Sequence, residues 1–224
     1  MGARLDIPTV TPMTDTDLLS LTQWLSPAFP VGGYAYSHGL EWAVSEGQAK
    51  TAADVAAWIN DVLVFGSGRT DAVLLCKAMD PEVDLGGLAA TAQALAPSKE
   101  RWQETFDQGR AFSEAANALK GTAYPPVALP VAVGRAARQL SLSPQTVAAL
   151  YLHAFVSNLV SCAVRFVPLG QTEGQKVLAG LHGTIEQVAK DAVTTPLDQI
   201  ASGVPGADLA SMHHETQQVR IFRT

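Results

Sequence analysis

The sequence predicts an all-α fold, a single helical-bundle domain of about ten helices. Three observations lead there: alternating strand patterns are nearly absent, capping residues punctuate almost every segment, and apolar residues recur at helical spacing. The 224 residues are 47% apolar, enough for a full core, and only 16% charged, against about 25% in ordinary domains. Apolar surface is therefore expected to extend beyond one core towards partner contacts, with a large monomeric core as the alternative.

Taken in order, the amino-terminal stretch lacks the apolar run of a signal peptide. Thr16 or Asp15 is placed to cap a helix through Leu18, Leu19, Leu21 and Leu25, and Ser26-Pro27 stops it. Thr51-Ala-Ala-Asp54 has the form of a capping box, in which the threonine oxygen takes an amide proton and the carboxylate reaches back. The helix it opens carries Val55, Trp58, Ile59, Val62 and Phe65 on one stripe and ends at Gly66-Ser67-Gly68. Further helices are predicted over residues 70–79, 85–95 and 98–119. Residues 121–126 form a short break, a loop and not a linker. Ser143-Pro144 sets a cap and a first-turn proline at the head of the longest helix, which runs to Val167. Residues 172–193 give another amphipathic stretch. The expected organisation is a flexible segment over 1–16, a helical domain over 17–205 and a tail over 206–224.

The net charge of −6 argues against sequence-independent nucleic-acid binding, which needs Lys and Arg to neutralise phosphates. Cys76 and Cys162 sit in apolar segments and read as buried thiols of a reducing compartment. The most apolar stretch, 147–167, holds His153, Ser157, Asn158, Ser161 and Arg165, too many polar groups for a membrane span. A cytoplasmic protein is expected.

No motif for chemistry emerges. His38, His153, His182, His213 and His214 lack metal-ligand spacing, and His213-His214 are helix neighbours that point about 100° apart. Residues 64–70 lack the phosphate-loop frame, and Ser37-His38 lack a nucleophile elbow. No catalytic residue, resident metal or cofactor is expected. On the long helix, His153, Ser157, Ser161 and Arg165 recur every fourth residue as a polar stripe, either satisfied within the core or lining a passage or interface. Two segments remain. Residues 26–41 combine prolines and glycines with Tyr34 and Tyr36, a rigid turn that suits interface anchors or packs on its own domain. The last seventeen residues gather two histidines, Glu215, two glutamines, two arginines and Ile221-Phe222, and either fold back or dock elsewhere.

These segments resemble the UreF family of urease accessory proteins. The resemblance is carried by Ser26-Pro27 with Pro30-Val-Gly-Gly-Tyr-Ala-Tyr-Ser-His-Gly-Leu-Glu41, by Asn158-Leu-Val-Ser161 with Arg165-Phe-Val-Pro-Leu-Gly-Gln-Thr-Glu-Gly-Gln175, and by Ala210-Ser-Met-His-His-Glu-Thr-Gln217 with Arg220-Ile-Phe-Arg-Thr224. It spans residues 17–224. It implies a non-catalytic homodimer that joins a UreD/UreH-type accessory protein and a UreG-type GTPase to deliver nickel to apo-urease. By position, it implies that Pro30, Gly32, Tyr34, Ser37, Gly39 and Glu41 contact the GTPase side. His214, Glu215, Gln217, Arg220 and Arg223 would form the docking region for the UreD-type partner. Pro168-Leu-Gly-Gln171 and Gln175 would shape the turn after the long helix. Where the family tail usually reads Arg-His-Glu, Gln-Tyr and a final Ser, this chain has His213, Gln218 and Thr224. Two other readings stand beside it: a direct nickel carrier using the tail histidines with His38, and a regulator that inserts Arg220 or Arg223 into the partner GTPase.

Overall fold

The computed structural model describes residues 14–223. Among them are eleven α-helices, two short 3-10 turns and no strand. The all-α expectation holds. The helices are α1 (Asp15–Leu25), α2 (Leu40–Ser45), α3 (Ala52–Phe65), α4 (Ser67–Ala78), α5 (Leu85–Ala94) and α6 (Lys99–Lys120). They continue with α7 (Leu129–Ala137), α8 (Pro144–Phe166), α9 (Gln171–Gly180), α10 (His182–Thr194) and α11 (Pro205–His214). Most of the expected amino-terminal segment, and Thr224, lie outside the described residues.

Local chemistry sets most boundaries. The cap of α1 is Thr14, one residue before Asp15 and two before Thr16, and its hydroxyl accepts from the Asp17 amide. Asp17 in turn accepts from the Ser141 amide and ties α1 to the loop before α8. The predicted capping box of α3 is present in both directions. After Phe65 there is no spacer, and α4 starts at Ser67. Gly68 lies against the Leu63 backbone, where a Cβ would come within 2.8 Å of the Leu63 Cα, so the tight corner needs glycine. Ser143 caps α8 by accepting from the Thr146 amide. The amphipathic stretch over 172–193 divides at Leu181 into α9 and α10. The sequence reading missed α7, whose Ala128 cap offers no side-chain hydrogen bond, and α11.

The core centres on α4 and α8. α4 buries nine of its twelve residues, packing on α3, α7, α8 and α10. Gly134 of α7 presses against the Leu75 carbonyl of α4, a crossing too close for any side chain. Around Phe112 of α6, Trp24 makes an edge contact at 6.0 Å and Phe29 a tilted one at 5.5 Å. By length and apolarity α8 could cross a membrane, but half of its most apolar window is buried inside the protein. Cys76 and Cys162 are free and buried, and burial pushes both thiols up to about 12. At that value they stay protonated and behave as small apolar side chains.

Candidate functional site

The loop before α2 and the carboxyl-terminal tail meet. Gly32 and Gly39 adopt left-handed backbone at φ 71° and 75°, and His38 joins them at φ 55°. At Gly39 the conformation and the space both demand glycine, because an added Cβ would lie 2.7 Å from the Ser211 amide nitrogen of α11. The loop is pinned from the other side by α8: Asn158 Nδ2 donates to the Tyr36 carbonyl at 3.2 Å, and Cys162 Sγ does so at 3.3 Å.

Onto this platform the tail folds back. Glu41 is 3% exposed, and its carboxylate accepts from the Ile221 amide at 2.8 Å, the Phe222 amide at 2.9 Å and His214 Nε2 at 3.1 Å. The other nitrogen of His214, Nδ1, lies 2.9 Å from Glu100 Oε2. Both ring nitrogens of His214 thus meet carboxylates, and Arg220 completes the cluster on Glu100. Ser98 and Ser211 hydroxyls meet at 2.7 Å, and Glu215 accepts from the Glu100 amide. Phe222 is buried against Phe166 at 5.1 Å, with the Arg165 guanidinium over its ring, and the Arg223 amide donates to the Ala35 carbonyl.

Beneath the loop runs a second, wholly buried polar network. His38 Nε2 lies 2.8 Å from Glu104 Oε1, and Arg101 Nη1 lies 2.6 Å from Glu104 Oε2. Gln108 donates to the same carboxylate, and the Tyr151 hydroxyl donates to Asp71 at 2.9 Å. Burial pushes the Glu104 carboxyl up, but Arg101 and His38 together more than offset it and bring it down to about 2. Burial dominates at Asp71 and raises it to about 6 against the pull of Arg101. Burial also lowers His38, with Arg101 adding to that effect. The network forms the floor of a cavity of about 510 Å³ walled by Trp24, Leu25, Val31, Leu150 and Phe155. The polar stripe of α8 reaches the same cavity through His153, Ser157, Ser161 and Arg165.

Of the residues singled out in the sequence, Pro30, Tyr34, Arg220 and Arg223 are exposed, and Gly32, Glu215 and Gln217 are half-buried. Ser37, Gly39, Glu41 and His214 are buried and turn their contacts inward. His213 stacks on Trp42 at 4.8 Å. The tail histidines are thus held by Trp42, Glu41 and Glu100. Sequence reasoning missed Asp71, Glu100, Arg101, Glu104 and Tyr151. Asp71 did leave a signal, as a carboxylate directly ahead of the apolar run of α4.

The fold and the site define an all-helical, single-domain protein whose polar tail is tied to the loop between its first two helices. The UreF family model matches residues 49–182. The urease accessory protein UreF of Cereibacter sphaeroides strain KD131 is 59% identical, over 92% of this chain and 98% of that protein. The UreF proteins of Jannaschia sp. strain CCS1 and Paracoccus denitrificans strain Pd 1222 are 53% and 46% identical, over 92% and 96% of this chain and 94% and 99% of theirs. The chain belongs to the UreF family of urease accessory proteins.

Proposed function

We propose that this chain is a cytoplasmic, non-catalytic scaffold for nickel insertion into urease. As a homodimer it joins a UreD/UreH-type protein and a UreG-type GTPase and presents them to apo-urease. Family membership over nearly the whole chain carries this reading. Supporting it, the folded-back tail leaves Leu209, Met212, Val219 and Ile221 outward, with Val219 79% and Ile221 72% exposed. Large exposed apolar side chains beside fixed charges suit a protein partner.

In this reading the exposed Pro30 and Tyr34, with Gly32, meet the GTPase, while Arg220, Arg223, Glu215 and Gln217 border the UreD-type surface. Ser37, Gly39, Glu41 and His214 act from within by holding loop and tail in register. The test is co-purification of the three proteins. A Val219→Asp/Ile221→Asp variant alters only exposed positions and should lose the UreD-type partner while its thermal midpoint stays put. Deletion of residues 220–224 should also weaken the complex. Full assembly with both variants would overturn the docking role of the tail.

A further inference from the structure

Two histidines that sequence spacing kept apart come together away from the tail. His153, in the middle of α8, and His182, the first residue of α10, have ring centroids 5.6 Å apart with planes at 44°. Their approach follows from the packing of α10 along α8. His182 is exposed, whereas His153 is half-buried and opens onto the cavity beside Ser157.

That spacing is close to what one shared metal ion requires. With metal–nitrogen bonds of about 2.0–2.1 Å, two imidazoles at tetrahedral or right-angle positions place their centroids about 4.5–5.2 Å apart. A small rotation of the exposed His182 ring closes the difference. We propose that His153 and His182 form a two-imidazole binding site for a borderline divalent ion of the nickel(II) or zinc(II) class. Among the described residues no group of three or more His, Cys, Asp or Glu converges, so the remaining positions fall to water entering from the cavity side. Two protein ligands give an open, exchangeable site suited to passing an ion on and not to storing it. The site is independent of the docking reading.

The test is calorimetric titration of the full, tag-free chain with nickel(II) and with zinc(II). One ion per chain is expected, with affinity weakened at least about tenfold in His182→Ala and in His153→Ala and unchanged in His213→Ala. X-ray absorption on the nickel-loaded chain should show scattering from two imidazoles. No binding, binding kept in the His153→Ala/His182→Ala double variant, or binding lost in His213→Ala overturns the site. Because His182 is exposed, its variant keeps the fold, and co-purification with the two partner proteins should be unaffected. A failed titration therefore leaves the scaffold reading standing.

Discussion

Glu41 accepts from two peptide amides and an imidazole while almost fully buried, so Glu41→Ala leaves three donors without an acceptor. Each unsatisfied buried donor costs about 1–3 kcal/mol, which puts the local penalty at about 3–9 kcal/mol. Hydrogen exchange should register it as loss of protection at the Ile221 and Phe222 amides. Asp71 and Glu104 act on stability with opposite signs. The folded Asp71 carboxyl holds its proton up to about 6, against a reference of 3.8, so its contribution is full below the lower value and lost as pH rises through the upper one. Glu104, brought down from 4.5 to about 2, contributes above the first value and loses that contribution as pH falls through the second. In Asp71→Asn the Tyr151 hydroxyl keeps an acceptor and the ionisation disappears. Denaturant midpoints measured from pH 4 to pH 7 should therefore fall less steeply with rising pH in the variant than in the parent chain.

At the scale of elements, the tail is the part least able to stand alone. α11 has ten residues, no side-chain cap and few inward contacts, so its place depends on α2, α6 and the residues that follow it. Phe222 is the apolar anchor of that attachment, tilted against Phe166 and covered by Arg165. Phe222→Ala should cost about 3–5 kcal/mol of local stability. Limited trypsin digestion should report this as faster cleavage after Arg220 while α4 and α8 stay intact. The capping box of α3 and the Ser143 cap of α8 were legible because their signals lie within four residues. α7 was not, because it lacks a side-chain cap and its packing rests on the crossing of Gly134 with α4, a contact between distant residues.

For the molecule as a whole, helical periodicity and punctuation were enough to read the fold class, whereas the site was legible only in part. The loop and the tail stood out by composition, but nothing local says that Glu41 faces Ile221 or that His153 meets His182. Arg101 and Glu104 were harder still, since a charged pair at this spacing on a helix reads as a solvated face. Only the closure of α4, α6 and α8 around the pair buries it. The contacts of Glu41 with His214, Ile221 and Phe222 span 173 to 181 residues of chain. During synthesis the loop leaves the ribosome first and waits, unlatched, until residues 214–222 have followed it. A chain interrupted anywhere before Ile221 thus carries the loop without its latch, and the outer face of the tail exists only once both distant segments have folded together.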